Sequence, residues 1–174
     1  MSYQAPLRDM RFVLHELFDI SGHCQLLGNG LDRELIDGVL EEGARYAAEV
    51  VAPLNRNSDE QGCQLSDGQV RTPDGFAEAY QQYVDNGWAS MTGPSEYGGQ
   101  ALPQMLACNF HEMLMAASLS FRVYSGLTEL IPATQTRQID AGGGAKRSRM
   151  ALYFCGANRC LTITFSSRVR RLPI

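Results

Sequence analysis

Residues 87–118 read GWASMTGPSEYGGQALPQMLACNFHEMLMAAS, and this stretch decides the fold. Gly87-Trp88 opens a loop bent by Pro94, Gly98 and Gly99. From about Pro103 to Ala117 the pattern turns helical, with Leu106, Phe110, Met113 and Leu114 on one face. The helix carries one acid, Glu112. A polar, glycine-bent loop running into an apolar helix is suited to lining a ligand pocket. A further helix is expected from about Ser120, with Phe121, Tyr124 and Leu127.

The residues before this stretch read as supporting helices. In Met1–Ile20, Leu7, Met10, Leu14, Leu17 and Phe18 share one helical face, Pro6 suits the first turn, and Ser21-Gly22 is expected to end the segment. A second helix is expected from Arg33 to Ala52. Asp32 is its N-cap, and Leu31 and Ile36 form a hydrophobic staple. Its buried stripe is Ile36, Val39, Leu40, Ala47, Val50 and Val51. Gly43 allows a close neighbour, and Pro53 ends the helix. Residues 55–71 are polar with two glycines and read as an excursion, with a hairpin turn at Asp67-Gly68. A third helix starts at Thr72-Pro73, presents Phe76, Tyr80, Tyr83 and Val84, and stops at Asn86-Gly87.

The chain has 174 residues, 44% hydrophobic and 20% charged, which is ordinary for a globular domain. No apolar run approaches the roughly 18 residues of a membrane span. No basic stretch followed by an apolar core opens the chain, so no secretory signal is expected. Five scattered cysteines, Cys24, Cys63, Cys108, Cys155 and Cys160, suit the free thiols of a reducing, cytoplasmic setting. The net charge of −4 hides an asymmetry. Residues 1–129 hold seven arginines, no lysine and 18 acids, a net of −11; residues 130–174 hold seven arginines, Lys146 and only Asp140, a net of +7. The later part also lacks any sustained period, so its local propensities do not support one fold.

Motifs for specific chemistry are weak. Gly142-Gly143-Gly144-Ala145-Lys146 departs from the phosphate-loop spacing, and Gly28-Asn29-Gly30 lacks the third glycine of a dinucleotide turn. His15, His23 and His111 stand apart, and Cys155 and Cys160 have no second pair, so no metal site is expected. Cys108 and His111 lie one helical turn apart. They read more simply as a thiol beside an imidazole than as a nucleophile and its base. The basic clusters Lys146-Arg147 and Arg168-Val169-Arg170-Arg171 sit in no recognisable nucleic-acid fold, and no nucleic-acid partner is expected. Glu112 at the wall of an apolar cavity would have a raised pKa, whereas on an outer face it would be solvated.

The segment GW…GPSEYGGQALP, followed by a helix containing Glu112 and ending Ala116-Ala117-Ser118, resembles the N-terminal helical domain of acyl-CoA dehydrogenases. YQAPLRDMRFVLHELFD and PLNRNSDEQGCQL are similar to the N-terminal extension and the post-helix segment of a large-subunit branch, the 3-methylmercaptopropionyl-CoA dehydrogenase type. The resemblance covers about residues 3–128. It implies a mainly α fold, with an extension helix over 1–31, the helical domain over 32–129, and an irregular basic tail over 130–174. It also implies FAD in the full-length protein, an acyl-CoA substrate, an electron-transfer flavoprotein as acceptor, and homo-oligomers. Tyr97, Gly98, Gly99, Leu102 and Glu112 would line the acyl end of the substrate channel. The sequence after Leu130 departs from the family, offering neither a flavin-binding strand nor a catalytic bundle. The expectation is therefore a truncated chain whose tail comes from a shifted reading frame, with no catalytic residue, no FAD bound by this fragment and no turnover of its own. Translating the other frames beyond codon 129 tests this, and family-like sequence in neither would refute it. The competing expectation is a non-catalytic helical interaction module that recruits a partner through its basic tail.

Overall fold

The computed structural model describes residues 3–28, 30–95 and 98–126. The expectations for residues 127–174 lie outside them. The fold is mainly helical. Helix α1 spans Leu7–Arg11 and runs directly into a π-helical segment, Phe12–Leu17. Helix α2 spans Ile20–Leu26. Helix α3 spans Arg33–Tyr46 and continues as a π-segment over Ala47–Val51. Helix α4 (Leu54–Gln61) leads to a two-stranded antiparallel hairpin, β1 (Gln64–Ser66) and β2 (Gln69–Arg71). Helix α5 (Phe76–Asp85), a 3₁₀ turn (Trp88–Ser90), α6 (Gln104–Ala117) and a final helix α7 over 119–126 complete the order.

One core joins these helices. It contains Leu14, Ile36, Leu40, Tyr83, Phe110, Met113 and Phe121. α3 and α6 pack closely because Gly43 has no side chain. A Cβ there would lie 2.8 Å from Phe110 Cδ2. Phe110 stacks on Trp88 with ring centroids 4.2 Å apart, and on Tyr83 at 6.2 Å. The Tyr46 hydroxyl donates to the Ala79 carbonyl at 2.8 Å, tying α3 to α5. Burial pushes its phenol pKa well above the ordinary range.

The expected helices from Arg33 and from about Pro103 form. Asp32 caps α3, its carboxylate accepting from Leu35 N at 2.8 Å. Asp67 and Gly68 both take positive φ, as a tight hairpin turn requires. Other expectations need correction. Leu17 and Phe18 are 62% and 56% exposed rather than core. The π-segment spends more than four residues per turn, which rotates them off the Met10–Leu14 face. Ser21-Gly22 does not end the first helical region. Left-handed Asp19 breaks it and caps α2 through Gly22 N, so Ser21 and Gly22 lie inside α2. The supposed excursion after Pro53 contains α4, held by Arg56–Glu60 and by Asn57 donating to the Asp74 carbonyl. α5 begins after Gly75 rather than at Pro73.

A polar cluster fastens the N-terminal unit to α3. Asp37 Oδ1 accepts from Arg11 Nε at 3.1 Å and lies 2.9 Å from His15 Nε2. The His15 side chain is only 3% exposed. Arg11 also pairs with Glu41, and Glu16 with Arg33. Burial would raise the Asp37 pKa, but the hydrogen bonds and charges of His15 and then Arg11 outweigh it and lower it.

Candidate functional site

The 87–102 loop is built from its neck outward. After α5, Gly87 takes φ +79, and its N–H donates to the Val84 carbonyl at 2.9 Å. Trp88 can then turn inward, where it is 8% exposed. Three backbone bonds close the neck: Gln100 N to Ser90 O at 3.0 Å, Ala101 N to Gly93 O at 2.9 Å, and Leu102 N to Met91 O at 2.9 Å. Gln100 Nε2 adds a bond to the Gly87 carbonyl at 2.8 Å. Gly99 crosses Gly93 so closely that a Cβ would lie 2.1 Å from the Gly93 oxygen. Gly98 takes φ +81, and Ala101, though not glycine, takes φ +52. The described part of the loop is thus a pinned neck.

Four of the five expected site residues are described, and Leu102 among them lines a cleft. Tyr97 lies outside the described residues. Gly98 is exposed, and Gly99 is half-buried in the neck. Leu102 is half-buried, packs against the core and lines a cleft. Glu112 is exposed on the outer face of α6, on the same helix as exposed Cys108 and Met115. The Tyr3 phenol pKa is raised by burial and then by the Glu112 charge, which puts Glu112 beside the N-terminal segment. Cys108 is a free, exposed thiol. Among the described residues, no group of three or more His, Cys, Asp or Glu side chains could hold a metal ion.

The cleft, about 730 Å³, runs along α3 and its π-segment, with the pinned neck as its opposite wall. Leu35, Val39, Val50 and Leu102 supply apolar surface, with the edge of Trp88. Glu34 and Glu49 line it as acids. Glu41 and Glu42 do so too, paired with Arg11 and Arg45. The sequence reading missed these residues. Their signal was a run of glutamates at seven-residue spacing, Glu34–Glu41 and Glu42–Glu49, beside Leu35, Val39 and Val50. An acid-rimmed cleft repels phosphate oxygens, so it does not fit the pyrophosphate of FAD or of coenzyme A.

No helix among the described residues is long and apolar enough to cross a membrane. No family model matches the chain. It is similar to 3-methylmercaptopropionyl-CoA dehydrogenase of Ruegeria pomeroyi, 37% identical over 130 residues. That alignment covers 74% of this chain and 22% of that enzyme. The chain thus spans under a quarter of the relative it matches. The similarity is thus to part of an enzyme named as an acyl-CoA dehydrogenase.

Proposed function

We propose that this chain is the N-terminal helical part of a flavin-dependent acyl-CoA dehydrogenase, whose reaction is the α,β-dehydrogenation of an acyl-CoA thioester. The observation that carries the reading is the 37% identity to an acyl-CoA dehydrogenase over 74% of the chain. In this reading the tip of the 93–101 loop, with Tyr97, Gly98 and Gly99, and the Leu102 and Glu112 surfaces line the acyl end of a substrate channel. Other parts of a longer protein supply the remaining walls. The neck bonds and the Gly93–Gly99 crossing hold that loop at fixed height, which is what a channel wall requires. FAD would be held outside the acid-rimmed cleft, and no proton or hydride step falls to a side chain described here. Electrons would leave to an electron-transfer flavoprotein, the full-length protein would be a cytoplasmic homo-oligomer, and the chain by itself would not turn over acyl-CoA.

A chimera tests this. Residues 1–129 replace their aligned counterpart in the Ruegeria pomeroyi enzyme, and acyl-CoA-dependent reduction of an electron acceptor is measured. Retained turnover, with the isolated chain colourless and inactive, is the expected result. A chimera that folds and binds flavin but does not turn over overturns the channel-wall assignment. A yellow, active isolated chain overturns the claim that it lacks the machinery.

A further inference from the structure

We propose that the cleft along α3 docks a basic amphipathic helix of a partner protein. Its lysines or arginines would meet Glu34 and Glu49, and its apolar face would lie on Leu35, Val39 and Leu102. The shape argues for a helix. The lining on this side runs from Glu34 to Val50, roughly 24 Å at 1.5 Å per residue. A compact metabolite would leave most of that length uncovered. An amphipathic helix lays one face along such a groove, anchored at every third or fourth residue.

The charge argues for a cation. Four glutamates face one arginine in the lining, and that Arg45 already pairs with Glu42. Among the described residues no ion pair engages Glu34 or Glu49. The residues around the cleft belong to the part of the chain that carries a net −11. This field steers a basic helix in and keeps nucleic acid and anionic lipid out. The glutamate spacing on α3 adds register, since Glu34 and Glu41, seven apart, lie on one helix face two turns apart.

Trp88 lines the cleft and is the only tryptophan of the chain, so its emission reports occupancy. The full chain is titrated with a short amphipathic peptide of leucine and lysine at helical spacing, and with its leucine–glutamate counterpart. The expected result is a saturable change in Trp88 emission with the lysine peptide alone, lost in about 0.5 M salt. E34Q/E49Q should weaken binding about tenfold. E78Q, an exposed acid outside the cleft, should leave it unchanged. Equal response to both peptides overturns the proposal, as does undiminished binding by E34Q/E49Q. Salt-dependent Trp88 emission without peptide, abolished by deleting residues 130–174, also overturns it by assigning the cleft to the chain's own basic end.

Discussion

Asp37 takes two of the four side-chain contacts described between the N-terminal unit and α3. One carboxylate oxygen serves both Arg11 and His15. Its folded pKa lies below its ordinary value, because His15 and Arg11 outweigh the effect of burial. A lowered carboxylate pKa stabilises the fold above the unfolded value, near ~3.9, and the contribution is lost as pH falls through the folded value. D37N is therefore expected to cost about 1.5–3 kcal/mol at pH 7, the range for hydrogen bonds to a charged group. Urea unfolding at pH 7 and pH 3 checks it: the gap between wild type and variant should be smaller at the lower pH. A constant gap would mean the loss arises from packing instead. Tyr46 makes the smaller contribution of a neutral hydrogen bond. Y46F removes the donor to Ala79 O while keeping the ring against Tyr83 and Phe110, and should lose about 1 kcal/mol with no pH dependence in the same assay.

At the scale of elements, close approach decides more than propensity. Alanine at position 43 would favour an isolated helix by about 1 kcal/mol. Its methyl would sit 2.8 Å from Phe110, which is held between Trp88 and Tyr83 and cannot swing aside. Overpacking of this kind costs about 1–3 kcal/mol. G43A should thus lower the urea midpoint despite its better propensity, and an increase would show that α3 and α6 can slide apart. G99A meets backbone rather than side chain, so the neck must open. Faster amide exchange at Gln100, Ala101 and Leu102 is expected, with a loss of about 1–3 kcal/mol. These elements also show what the sequence could and could not reveal. α3 and α6 were legible because an N-cap or apolar spacing marks them, and Gly43 was legible as a contact point. α4 was hidden because LNRNSDEQ has one apolar residue and no period, its stability coming from Arg56–Glu60 and Asp74. The π-segment misdirected Leu17 and Phe18 because no composition signal announces a wider turn. The loop was legible as a glycine-bent feature, but the cleft was not, because its apolar residues share α3 with the core stripe and half-burial leaves no separate pattern.

At the scale of the molecule, the outer surface of the described residues is not uniformly polar. Phe12, Leu17, Phe18, Leu26 and Leu27 are each more than half exposed. Together they leave on the order of 500 Å² of apolar side chain in water. Met115, Leu119 and Val123 add a second apolar row on the outer side of α6 and α7. Concentration-dependent association of the isolated chain follows, since apolar area removed from water contributes roughly 25 cal/mol per Å². The double variant F12S/F18S separates this from folding. Both side chains face solvent, so stability should change by no more than about 0.5 kcal/mol. The associated fraction, read by light scattering across a dilution series, should fall several-fold, and dye binding to exposed apolar surface should fall with it. If association persists unchanged while dye binding drops, the Met115–Leu119–Val123 row becomes the contact. Polar substitution of Leu119 and Val123 should then release the monomer.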